Sequence, residues 1–124
     1  MHAVPCLRLA ALLAGLAVAI GAFAAHAMKG AFPAEALQTF ETGVRYQMYH
    51  ALALGLCAAL ARAGWRITVP ATCFLCGIAL FSGSLYALVL LDLKWLGAVT
   101  PFGGVAFLVG WAALLRAPAA ATPA

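Results

Sequence analysis

Four long apolar stretches alternate with short polar breaks along the chain. Residues 9–28 lie between Arg8 and Lys29 with no formal charge among them. Residues 46–61 lie between Arg45 and Arg62, 67–91 between Arg66 and Asp92, and 95–115 between Lys94 and Arg116. A helix crosses a bilayer with about 20 mostly apolar residues, within a range of about 17–25. The first, third and fourth stretches therefore each predict a transmembrane helix. The second is short by itself, so either its flanking arginines snorkel to the interface or Arg45 lies slightly inside the headgroup region. Ahead of it, 33–44 follows another pattern. Leu37, Phe40, Val44 and Met48 recur at helical spacing, Glu35, Gln38, Glu41 and Arg45 fall on a more polar side, and Pro33 suits a first turn. This predicts a short amphipathic helix on the membrane surface, running into the second span. Glu41 and Arg45 are four apart and can pair along it. Only Ala63, Gly64 and Trp65 separate Arg62 from Arg66. The second and third spans are thus expected as antiparallel neighbours, with Gly64 free to take the backbone angles a tight turn needs.

The expected architecture is all-α: a membrane-embedded bundle of four transmembrane helices with a short amphipathic surface helix between the first and second. Residues 1–116 form a single transmembrane domain in this reading, and the Ala- and Pro-rich tail 117–124 is expected to be disordered. Composition strengthens it. The chain is 67% hydrophobic and 8% charged, against about 25% charged in a soluble domain, so it lacks the polar groups to cover a water-facing surface. The net charge of +4 does not imply a nucleic-acid partner, because the basic residues stand singly at the ends of apolar runs, where membrane anchors belong. A rival reading exists for the first stretch: a basic residue, an apolar core and Ala25-His26-Ala27 resemble a signal peptide with its cleavage site. The stretch exceeds a usual signal core, and three more spans follow it. Arg8, Arg62, Arg66 and Arg116 fall on one side of the membrane and Lys29, Arg45 and Lys94 on the other. The positive-inside bias places both termini in the cytoplasm by four to three.

Lipid tails are as apolar as leucine, so helices in a bilayer associate through close packing at small residues. Such residues recur four apart: Ala17, Gly21 and Ala25; Ala51, Gly55 and Ala59; Ala79, Gly83 and Ala87; Ala106 and Gly110. The expected packing glycines are Gly21, Gly55, Gly83 and Gly110. Counting from the charged ends, His26 and His50 lie roughly 5–8 Å below one surface at about 1.5 Å per residue. Gln47, Ser82, Ser84, Tyr86 and Thr100 fall in the same half of the bilayer, with Arg45 at its edge. This polar cluster is expected to be an interhelical hydrogen-bond network that fixes register. The alternatives are a water-filled path for a small solute or a proton, or a two-histidine haem or metal site at His26 and His50. Cys73-Phe74-Leu75-Cys76 is a CxxC, but inside a span and without a second ligand pair it reads as apolar filler. Cys6 and Cys57 complete the four cysteines and outline no secreted disulfide framework. No span carries an acid, and the chain has no Walker loop, dinucleotide fingerprint, HExxH or nucleophile elbow. No catalytic residue, metal or cofactor is expected.

Four motifs carry a resemblance. Gly21-Ala22-Phe23-Ala24-Ala25-His26-Ala27 with Lys29, then Tyr46-Gln47-Met48-Tyr49-His50-Ala51-Leu52, then Leu80-Phe81-Ser82-Gly83-Ser84-Leu85-Tyr86, then Leu96-Gly97 with Thr100-Pro101-Phe102-Gly103-Gly104 resemble, in order over about residues 10–116, the domain-of-unknown-function 423 family, related to the eukaryotic transmembrane protein 256. The resemblance implies a small multi-pass membrane protein and no particular activity. It implies that His26 is usually retained, which speaks against cleavage of the first span, and it gives the cysteines no part. The function expected is therefore a non-catalytic component of the bacterial inner membrane, in contact with the lipid bilayer and packing with itself or with a membrane-protein partner. A solute or proton path through the polar half is the alternative.

Overall fold

The computed structural model describes residues 1–119, and its regular structure is built from helices. Helix α1 runs Ala3–Met28, its last turn Ala24–Met28 widened to a π turn. Helix α2 runs Ala34–Arg62. Helix α3 runs Thr68–Leu91 with a π turn at Ile78–Ser82, and α4 runs Lys94–Leu115, opening with the 3₁₀ turn Lys94–Ala98. Three of the four, α1, α3 and α4, are long and apolar enough to cross a membrane.

The breaks follow from local chemistry. Gly30, at φ +86°, reverses the chain after α1, and Pro33, with its fixed φ, leads into α2. The end of α2 is a Schellman motif: Trp65 N–H donates to the Leu60 carbonyl at 3.0 Å and Gly64 N–H to Ala61 at 3.1 Å, with Gly64 at φ +86°. Trp65 and Leu60, the hydrophobic pair that accompanies such a motif, both lean on the same apolar cluster. Asp92, left-handed at φ 52°, stops α3.

The surface helix expected over 33–44 is not a separate element. It and the second span form one unbroken helix, Ala34–Arg62. The reason is packing: Phe40, Gly43, Gln47, His50, Leu54 and Cys57 are all buried along it, and no proline interrupts 34–62. α1 likewise begins well before residue 9, with Arg8 exposed on its side. Of the expected tail, 120–124 lie outside the described residues. At 117–119 the chain has left the helix, and the Pro118 carbonyl accepts a hydrogen bond from Arg66 N–H at 3.2 Å.

α1 packs along α2, α2 against α3, and α3 against α4. On α1 the inward positions are Cys6, Ala10, Leu13, Ala17, Ile20 and Ala24; on α2 they are Phe40, Val44, Gln47, Ala51, Leu54 and Ala58. Both series step by four and three in turn, the spacing of a left-handed coiled pair. A strict four-residue stripe rotates by about 40° at each step on a helix of 3.6 residues per turn. Ala25 and Ala59, at the ends of two such stripes, accordingly face outward, as does Ala79 at the start of a third. Two apolar clusters result. One joins Cys6, Leu54, Cys57, Ile67, Phe74 and Phe107; the other joins Ala24, Met28, Phe40 and Val89. The buried polar side chains, Gln47, His50, Ser82 and Ser84, belong to neither.

Candidate functional site

The polar side chains of α2 and α3 meet on the inner face of α2. Gln47 sits at the centre. Its Nε2 donates to the Leu13 carbonyl of α1 at 2.8 Å, and its Oε1 accepts from the Tyr86 hydroxyl of α3 at 2.8 Å. One amide side chain thereby links three helices. One turn of α2 away, the Ser82 hydroxyl, in the π turn of α3, donates to the Gly43 carbonyl at 2.7 Å. Gly43 allows this approach, because a Cβ there would lie 2.8 Å from the Tyr86 ring. Ser84 and Thr100 share a hydrogen bond of 2.6 Å between α3 and α4, and each is also placed to donate to a carbonyl of its own helix, Phe81 and Leu96 respectively.

His50 forms the second part of the site. Trp111 Nε1–H of α4 donates to His50 Nε2 at 3.1 Å, so Nε2 accepts and bears no proton. Nδ1 must then carry the ring proton, which it donates to the Tyr46 carbonyl at 2.8 Å. Only the neutral ring can make both bonds. The imidazole lies flat on Phe107, centroids 3.4 Å apart and planes within 7°, with Phe74 and Trp111 tilted beside it. A groove of about 500 Å³ opens next to the ring, lined by Tyr46, Phe81, Gly104, Phe107, Leu108 and Trp111. With both nitrogens engaged, His50 presents no free polar atom to it. Among the described residues, no buried side-chain nitrogen or oxygen lacks a hydrogen-bond partner.

Two members of the expected cluster stand apart. His26 is exposed on the π turn ending α1, whereas His50 is buried with both ring nitrogens hydrogen-bonded and offers none to a two-histidine site. Arg45 is exposed and pairs with Glu41 at 3.4 Å. Among the described residues no group of three or more His, Cys, Asp or Glu side chains could hold a metal ion. The four cysteines are free thiols; Cys6 and Cys57 are buried, and Cys6 Sγ reaches the Leu54 carbonyl at 3.3 Å.

The expected packing glycines occupy different settings. A Cβ on Gly110 would lie 2.7 Å from the Phe74 ring, on Gly21 3.2 Å from Val44, and on Gly55 4.0 Å from Ala10; on Gly83 it would meet nothing within 4 Å. Gly83 is half-buried, but the place of its missing Cβ is open. The tightest approaches fall elsewhere: Gly103 against the Phe81 backbone and Gly77 against the Phe107 ring. Sequence reasoning passed over these, and Trp111 with them. A signal was present, since Gly103, Phe107 and Gly110 step by four and three along α4.

Residues 20–104 match the model of the family described as "Protein of unknown function (DUF423)". The chain is 47% identical over 106 residues to the UPF0382 membrane protein YwdK of Bacillus subtilis, covering 83% of this chain and 86% of that one. It is 46% identical over 103 residues to the UPF0382 inner membrane protein YgdD of Escherichia coli, covering 79% and 76%. It is 43% identical over 117 residues to the UPF0382 membrane protein SAB0533 of Staphylococcus aureus, covering 88% and 90%. No solved structure matches significantly. The family motif region holds Gln47, His50, Ser82, Ser84, Tyr86 and Thr100, and with these relatives it shows that the chain belongs to the DUF423 family of small membrane proteins.

Proposed function

We propose that the chain is a four-span protein of the bacterial inner membrane that works as a non-catalytic assembly component. It packs with a second copy or with another membrane protein, and its polar layer acts as an internal register lock. One observation carries this reading. Gln47, His50, Ser82, Ser84, Tyr86 and Thr100 each hold hydrogen bonds to one another, to the Trp111 indole or to helix carbonyls. A path for a proton or solute needs polar groups that can be released to a passing guest; here each is engaged. The inner-membrane assignment draws on the printed name of the Escherichia coli relative, and α2 as the fourth span draws on its length and its place between α1 and α3. Both termini face the cytoplasm in this reading, on the four-to-three distribution of basic residues.

Purified protein in sealed vesicles tests it. Proton or solute flux should equal that of empty vesicles, and crosslinking in native membrane should trap a discrete homo- or hetero-oligomer. Flux above the empty-vesicle level that disappears in Gln47→Leu would overturn the reading. Reporter fusions at both ends should read cytoplasmic; an external signal at either end refutes the orientation.

A further inference from the structure

A cavity of about 570 Å³ lies at the junction of the α2 start and the α3 end, within the size range of small-ligand sites. Its floor is apolar: Phe32, Ala36, Leu88 and Val89. Its mouth carries Glu35, Asp92 and Lys94, with Thr39 and Pro33 on the wall. All three charged side chains are exposed. Among the described residues the only ion pair joins Arg45 to Glu41, so none of the three is engaged by an opposite charge of the chain. The first turn of α2 forms one side of the cavity, and no side chain caps its N–H groups. The 29-residue helix behind them adds a positive partial charge at that end.

The position sets the depth. Asp92 directly follows the apolar helix α3, and Lys94 opens α4, so the cavity sits where hydrocarbon gives way to headgroups. The chemistry then restricts the guest. Two carboxylates disfavour a simple anion, and Lys94 with the uncapped amides disfavours a simple cation. An apolar floor beneath a mouth of mixed charge fits an amphiphile whose polar end carries both signs. We propose that this cavity binds the headgroup of a phospholipid bearing a primary amine. The ammonium donates to Glu35 and Asp92, the phosphate faces Lys94 and the first-turn amides of α2, and the acyl chains leave over Leu88 and Val89.

Native mass spectrometry of the full-length chain in detergent micelles tests this. Delipidated protein is offered equal amounts of phosphatidylethanolamine, phosphatidylcholine and phosphatidylglycerol with matched acyl chains. Phosphatidylcholine keeps both charges but its ammonium cannot donate a hydrogen bond, and phosphatidylglycerol lacks the cation. Exposed charge pairs support about a threefold preference for phosphatidylethanolamine over either. The preference should fall to parity in the double variant E35Q/D92N and persist in E41Q, which alters an acid outside the cavity. Soluble glycerophosphoethanolamine at equal concentration should not displace the lipid. Equal adducts in the unaltered protein, a preference surviving in E35Q/D92N, or displacement by the soluble headgroup would each overturn the proposal. The vesicle flux measurement is indifferent to these outcomes, so the two readings fail separately.

Discussion

Gln47 offers the sharpest test of the polar layer, because its one side chain bonds α1 and α3 at once. Gln47→Leu keeps the size and removes both bonds. The Leu13 carbonyl loses little, since it keeps its helical partner. The Tyr86 hydroxyl, in contrast, loses the acceptor it has in the structure. Interhelical hydrogen bonds in membranes average about 0.6 kcal/mol with a maximum of about 1.7, and an unpaired polar group adds about 1–3 kcal/mol. Gln47→Leu should therefore destabilise by about 2–4 kcal/mol. Tyr86→Phe, which deletes the hydroxyl alone, should cost about 1–2 kcal/mol, since it leaves Gln47 Oε1 unpaired but still near polar neighbours. Both deletions together remove donor and acceptor, so the double variant should be no worse than Gln47→Leu alone. The assay is a double-mutant cycle read by reversible denaturant titration in mixed micelles. Additivity within about 0.5 kcal/mol, or a neutral Gln47→Leu, would refute the claim that these residues form one bonded unit.

Two further substitutions probe backbone geometry. Gly103→Ala should cost at least about 1–3 kcal/mol, because its Cβ meets the Phe81 backbone, which cannot swing aside. Gly83→Ala, opening onto free space inside a helix, should gain about 0.5–1 kcal/mol; melting temperatures of the two should move in opposite directions, and a shared sign would contradict the packing described. Gly64→Ala strains the left-handed end of α2 by about 1–2 kcal/mol, so an unchanged midpoint in a thermal scan would count against the Schellman turn.

The hydrophobic pattern carries much of the fold because it reports a bulk property, partition into lipid. The three most apolar stretches match helices α1, α3 and α4, and Gly64 marks the turn after α2. What the pattern hides is which side of each helix faces protein. Small residues four apart look like a stripe on paper, yet the helices follow alternating steps of four and three, so Ala25, Ala59 and Ala79 face outward while Gly43 and Gly103 sit at the closest contacts. Depth counting ranks Gln47 and Tyr86 together because both lie a few residues from a charged end. The same counting sets His26 at the depth of His50, although one is exposed and the other buried, because it contains no angular information. Trp111 escaped because an indole near a helix end resembles an interfacial anchor; only the fold reveals that its N–H is turned toward a histidine on another helix. The apparent break between 33–44 and 46–61 came from charges at Glu41 and Arg45, which the helix carries on its exposed flank without interruption.

The position of α2 bears on biogenesis. It is the least apolar of the four helices and packs between α1 and α3. At the exit gate of the translocation machinery each leucine favours lipid by only about 0.3–0.6 kcal/mol, and a charged residue near the centre opposes it by about 2.5–3.5 kcal/mol. With Gln47 and His50 in the stretch and Arg45 at its edge, α2 has little reason to leave that gate alone. In the proposed four-span arrangement it enters the bilayer as the passenger of its greasier neighbours, so a nascent chain truncated before α3 should stall at the gate or be degraded.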